Sequence, residues 1–100
     1  NGASIVNKGG GGVGPTADGR RKPDLFAPGT SIVSAGTGSC STSTLSGTSM
    51  ACPAAAGAAA LVRQYFVDGF HPSGAANPAD SITPSSALLK AVLVNTCQDM

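Results

Sequence analysis

Ser49 is the side chain in this sequence best placed to do chemistry. It sits in Ser46-Gly47-Thr48-Ser49-Met50-Ala51-Cys52-Pro53, where a glycine turn hands a β-branched, polar stretch over to a run of strong helix formers. The first N–H groups of a helix have no intrahelical partner and carry a partial positive charge. A serine hydroxyl held there lies beside ready donors for a developing oxyanion, which is what nucleophilic acyl transfer needs. Gly47 leaves the approach open. Pro53 is tolerated in a first helical turn, where its missing N–H would be unpaired in any case. The competing reading of a lone serine ahead of a helix is an N-cap, which satisfies one of those same donors.

The other polar candidates are weaker. His71 follows Ser49, beyond a helix that rises about 1.5 Å per residue, so it is too far along to serve as the base of Ser49. Next to Pro72 in a polar loop, it reads as a solvated turn residue. Gly47-x-Ser49-x-Ala51 mimics the nucleophile elbow of α/β-hydrolases, with Asp68 and His71 in that family's order. Both would stand at the far end of the helix that the serine begins, and no apolar strand run precedes the serine. The glycine run at 9–14 has neither a following Lys-Ser/Thr nor a helix, so it reads as a loop rather than a phosphate cradle. Arg20-Arg21-Lys22 reads as a solvated turn.

The elements that must position Ser49 can be read in outline. Residues 1–19 are turn and loop signals: Gly9 to Gly12, Gly14-Pro15 and Asp18-Gly19. Short strands are expected at Asp24-Leu25-Phe26-Ala27, at Ile32-Val33-Ser34-Ala35 and from Ser41 to Leu45. Gly36-Thr37-Gly38-Ser39 suits a hairpin between the last two. From about Thr48 the pattern turns helical, with a helix candidate from Met50 to Val67 and Gly69 as its stop. Its middle, Ala54-Ala55-Ala56-Gly57-Ala58-Ala59-Ala60, has no polar face, the mark of a buried helix closely approached by its neighbours. After a loop over 69–82, Thr83-Pro84 predicts an N-cap and first position for a second helix ending near Asn95, with an apolar stripe of Leu88, Leu89, Val92 and Leu93.

Composition narrows the function classes. Charged residues are only 11% of the 100 and the net charge is +1, so there is no electrostatic footprint for nucleic acid or an anionic membrane. The longest apolar run, Ala54 to Val62, is far short of a membrane span. Apolar residues at 41% argue against disorder, and the many glycines instead suggest tight turns. Asn1-Gly2-Ala3-Ser4 lacks the basic and apolar regions of a secretory leader. Cys40, Cys52 and Cys97 are odd in number and without metal spacing, so they define no disulfide framework. Pairing of Cys40 with Cys97 stays open.

Three segments together resemble a known family. Gly47-Thr48-Ser49-Met50-Ala51-Cys52-Pro53 resembles the nucleophile motif of subtilisin-like serine peptidases, Gly-Thr-Ser-Met-Ala-x-Pro. Upstream, Lys22-Pro23-Asp24-Leu25-Phe26-Ala27-Pro28-Gly29 is similar to the family's Lys-Pro-Asp-x-x-Ala-Pro-Gly segment. Downstream, Ser85 to Asn95 resembles the helix that follows. The resemblance covers about 14–97 and places 14–100 in the C-terminal part of a catalytic domain. Asn7 to Val13 departs from the family's Phe-Ser-x-x-Gly strand, which leaves the Gly-rich segment 1–13 outside it.

That resemblance implies an α/β fold: the C-terminal part of a three-layer domain with a parallel sheet and a central buried helix after the nucleophile. It implies a serine endopeptidase in which the Ser49 hydroxyl attacks a peptide carbonyl and the Ser49 N–H serves the oxyanion hole. The triad Asp and His and the oxyanion Asn precede the serine in this family and are expected from sequence upstream; Asn1 lacks the motif for that role. The implied partners are a polypeptide substrate and the upstream part of the same catalytic domain, with no nucleic acid and no membrane. A secreted or extracellular setting follows from the family only. No cofactor is evident, and calcium is allowed by the resemblance alone. Cys52, where the family carries a small residue, is expected to be a packed, inert thiol. The 100 residues alone are expected to be inactive. The alternative is a catalytically inactive fragment or pseudopeptidase that acts as a binding or structural module.

Overall fold

The computed structural model describes residues 11–97. Residues 1–10, with Asn1 and most of the Gly-rich segment, and residues 98–100 lie outside the described residues. The chain order is β1 (Ile32–Ala35), β2 (Thr42–Leu45), α1 (Thr48–Val67), a 3-10 turn (Pro78–Asp80) and α2 (Ser86–Thr96). Two compact units divide between Ala55 and Ala56, inside α1.

In the first unit, β-branched Ile32, Val33, Thr42 and Thr44 favour the pleated backbone of β1 and β2. The strands pair antiparallel with Ile32 opposite Leu45 and Ala35 opposite Thr42. Their turn is closed by the Gly36 N–H, which donates to the Ser41 carbonyl at 2.9 Å, and by the Gly38 N–H, which donates to the Ser41 hydroxyl at 2.9 Å. The hairpin therefore forms where the sequence suits one. The strand expected at Asp24-Leu25-Phe26-Ala27 does not form. Pro23 and Pro28 flank it without N–H groups, and no described strand lies beside it to complete a ladder. Ahead of it, the Gly14 N–H donates to the Lys22 carbonyl at 2.8 Å and the Thr16 N–H to the Arg20 carbonyl at 3.0 Å, closing a loop.

The sheet of the described residues is antiparallel and two-stranded. The link 36–41 is too short for the crossover that a parallel pair needs.

In the second unit, α1 stops as Gly69 predicts. Gly69 has φ +70°, its N–H donates to the Phe66 carbonyl at 3.1 Å, and the Phe70 N–H reaches the Tyr65 carbonyl at 3.0 Å. This is a Schellman end, and its usual hydrophobic contact is the stacking of Phe70 on Tyr65, with ring centroids 5.7 Å apart. The following loop folds back onto carbonyls of the last helical turn, one of which already accepts the Gly69 N–H. The Ile82 N–H donates to the Phe66 carbonyl at 3.1 Å, and the Ser81 hydroxyl to the Val67 carbonyl at 2.6 Å. Within that loop Asn77 caps the 3-10 turn by accepting from the Ala79 N–H at 3.1 Å.

The second helix starts later than Thr83-Pro84 suggests. Ser85 is the N-cap, its hydroxyl accepting from the Leu88 N–H at 3.2 Å, and Pro84 is a buried residue of the lead-in. Serine is the better N-cap of the two hydroxyl residues, and a proline just before it costs the helix nothing.

The burial expected of α1 within a complete domain is not provided by the described residues. Phe66 is the one buried residue of α1, and Leu61 and Tyr65 stand exposed at 69% and 42%. The two short strands and one further helix of the described residues do not supply enough surface to cover every side of a long apolar helix. No described helix is long and apolar enough to cross a membrane.

Candidate active site

The site is built at the junction of β2 and α1. Beyond the last pair of the hairpin, the Ser31 N–H donates to the Ser46 hydroxyl at 2.8 Å, and the Gly47 N–H donates to the Gly29 carbonyl at 2.7 Å. The backbones meet so closely that a Cβ on Gly29 would lie 2.6 Å from the Gly47 carbonyl oxygen and 3.0 Å from the Ala51 Cβ. Only glycine fits at position 29 without displacing the start of the helix.

From there the helix begins. The Gly47 carbonyl accepts the Met50 N–H at 3.1 Å and the Ala51 N–H at 3.2 Å. Thr48 and Ser49 stand ahead of this first ring, so their N–H groups have no carbonyl one turn back. Ser49 is exposed and is the second residue of α1. It is therefore not the N-cap of the competing reading: the helix starts before it. Pro53 also lies deeper than a first turn, inside α1. Without an N–H it has nothing to give the Ser49 carbonyl four residues back, so this stretch of α1 forgoes one helical bond.

The arrangement offers a solvent-facing hydroxyl beside N–H groups at the positive end of a helix dipole. It can present a nucleophile and part of an oxyanion hole. It contains no base: among the described residues no His or Asp is hydrogen-bonded to Ser49.

The remaining candidates fall elsewhere. His71 is exposed after the last turn of α1, its ring 6.0 Å from that of Phe66. Asp68 is exposed there too and lines an open depression with Leu61, Gln64, Tyr65 and Phe70. Neither is in the unit that holds Ser49. In the basic run, Arg20 pairs with Asp18 at 2.8 Å and Lys22 with Asp24. The Thr16 hydroxyl and then Arg20 hold the Asp18 carboxyl below its ordinary range. Arg20 and Arg21 are exposed and Lys22 is half-buried, and the run follows the turn at Ala17-Asp18 rather than forming one.

Cys40, Cys52 and Cys97 are all free and exposed. Cys52 was expected to be packed; among the described residues it stands exposed near the start of α1. Among the described residues no three His, Cys, Asp or Glu side chains are grouped to hold a metal ion.

Two features of the site escaped the sequence reading. One is the pairing of Gly29 with Gly47, although each ends or begins a recognisable segment. The other is Ser46, whose only signal was a hydroxyl residue directly before the glycine of the turn.

Comparison with known proteins bears on this geometry. The model of the subtilase family of peptidases matches residues 10–100. Over 100 residues the chain is 42% identical to "Serine protease/ABC transporter B family protein tagD" of Dictyostelium discoideum, covering 85% of this chain and 6% of that protein. It is 43% identical over 102 residues to the tagA protein of the same description and organism, again covering 85% of this chain and 6% of the relative. Over 44 residues it is 61% identical to "Extracellular serine proteinase" of Thermus sp. (strain Rt41A), which covers 43% of this chain and 11% of that protein. The chain thus spans a small part of the length of these relatives. No solved structure matches it.

Proposed function

Because the chain belongs to the subtilase family, we propose that it is the nucleophile-bearing part of a serine endopeptidase that cleaves polypeptides through an acyl-enzyme on Ser49. The observation that carries this reading is the placement of Ser49: an exposed hydroxyl in the first turn of α1, ahead of the helix's first hydrogen-bonded ring. In the proposed reaction an upstream histidine takes the Ser49 proton as Oγ attacks the peptide carbonyl carbon. The oxyanion that forms is held by the Ser49 N–H and an upstream Asn side chain. The C–N bond then breaks, the histidine returns the proton to the leaving amine, and water hydrolyses the ester by the same route. An upstream aspartate orients the histidine.

The same upstream sequence would complete an α/β domain, with a parallel sheet and helices covering the exposed sides of α1. A secreted or extracellular setting is part of the proposal, supported by the Thermus relative being described as extracellular. The names of the Dictyostelium relatives also carry an ABC transporter, so a membrane-associated setting is the alternative to test.

The test is hydrolysis of an internally quenched peptide by the full-length protein and by its Ser49→Ala variant. Turnover that vanishes in the variant supports the reading. Turnover that survives it, or a full-length protein that folds but never cleaves, points to the binding or structural module instead.

A further inference from the structure

The turn before Ser49 is held by two hydrogen bonds that run in opposite senses. The Ser46 hydroxyl accepts from the Ser31 N–H at 2.8 Å. The Gly47 N–H donates to the Gly29 carbonyl at 2.7 Å. They continue the hairpin beyond its last pair, Ile32 opposite Leu45, so the ladder runs on toward the helix through a side chain and then a loop carbonyl. Ser31 sits at φ +53°, in the left-handed region that a residue with a Cβ rarely adopts. A backbone held there needs its surroundings to over-determine it. The Ser46 hydroxyl does so by accepting from the Ser31 N–H.

We propose that Ser46 is a positioning residue for the Ser49 nucleophile, an inference that rests on the peptidase reading. Ser46 is three residues from Ser49 and reaches it through Gly47, whose carbonyl closes the first ring of α1. If the Ser46 hydroxyl is removed, the Gly47 peptide keeps one tether instead of two and gains freedom to rotate. That rotation tilts the first turn of α1, moving the Ser49 hydroxyl and its N–H together relative to the substrate carbonyl. Misplacement of a reacting group by about 1 Å costs on the order of 100-fold in rate. Ser46 acts behind the helix start, so its loss should lower kcat and leave KM nearly alone.

The experiment compares the full-length protein with its Ser46→Ala and Ser46→Thr variants. Three readouts are taken: the kcat and KM split on a peptide substrate, hydrogen exchange at the Ser31 amide, and the melting temperature. We expect Ser46→Ala to melt within a few degrees of the parent, to exchange faster at Ser31, and to lose roughly 10- to 100-fold in kcat at nearly constant KM. Threonine keeps the hydroxyl, so Ser46→Thr should recover most of the rate and the Ser31 protection. Faster Ser31 exchange with unchanged kcat would overturn the positioning role alone. Unchanged Ser31 exchange would overturn the tether itself. A folded parent that never cleaves would overturn the peptidase reading, and the positioning role with it.

Discussion

The Gly47 N–H donates to the Gly29 carbonyl at 2.7 Å, and this bond joins the two segments whose sequence carries the family's signature. The Ala27-Pro28-Gly29 end of one is thereby set against the Gly47-Thr48-Ser49 start of the other. The contact is backbone to backbone, and it explains why position 29 is glycine; Gly47 has room for a Cβ, and its φ of +156° is what favours glycine there. A side chain at Gly29 would meet a carbonyl oxygen and the first turn of the helix.

Gly29→Ala should therefore impair the site more than an exposed surface change does. Its Cβ would press 2.6 Å from the Gly47 oxygen, which is backbone and cannot swing aside. Overpacking of this kind costs roughly 1–3 kcal/mol. A urea melt of the full-length protein would measure the loss, with the rate of peptide cleavage falling in parallel. A variant with parental stability and rate would show that the junction is looser than the geometry implies.

Gly69→Ala should destabilise the second unit. The residue has φ +70°, and an added Cβ would lie 1.9 Å from the Asn77 carbonyl oxygen. A left-handed alanine costs about 1 kcal/mol before that clash is counted, so a loss of roughly 2 kcal/mol or more is expected. Faster hydrogen exchange at the Phe70 and Ile82 amides, which both donate to carbonyls at the end of α1, would report it locally. Unchanged protection at both would contradict the account of this helix end.

The parts of the structure that were legible in the sequence are those set by local chemistry. β1, the hairpin turn, most of α1 and its glycine stop follow from β-branched residues, a Gly-rich link, an alanine run and one φ-positive position. The failures have local causes too. Asp24 to Ala27 has strand-like residues but no partner strand, and at Thr83-Pro84-Ser85 two hydroxyl residues compete for one cap. The composition of α1 calls for cover on every side, and the described residues do not provide it. Of the site, Ser49 was legible from its motif. The Gly29–Gly47 and Ser31–Ser46 bonds were not, since they join residues far apart in sequence and depend on how the hairpin ends.

The Asp18 carboxyl should titrate below its ordinary value of 3.8, because its charged form accepts from the Thr16 hydroxyl and then from Arg20. The folded pKa is the lower one, so the group's small stabilising effect is present above the unfolded value. It is lost as pH falls through the folded one. An NMR titration of the Asp18 carboxyl carbon gives the midpoint directly. A midpoint at or above 3.8 would show that the loop does not hold these partners in solution.

The isolated 100 residues should neither cleave peptides nor melt cooperatively. Phe66 is the buried hydrophobic residue of the described chain, while Leu61, Tyr65, Leu45 and Val33 are exposed. Such a surface invites association or a loosely ordered state. Proton NMR dispersion with a urea melt would check this, and Cys52 should be alkylated readily by iodoacetamide in the same sample. A sharp transition from a monodisperse monomer would contradict it.

Covalent labelling tests directly whether Ser49 is the nucleophile. The full-length protein is treated with a fluorophosphonate and digested, and the modified residue is located by mass spectrometry. One adduct is expected on Ser49 and none in Ser49→Ala, with a kcat loss in that variant of roughly 10⁶, the scale known for subtilisin itself. A folded, full-length protein labelled at another serine while Ser49 stays unmodified would contradict it.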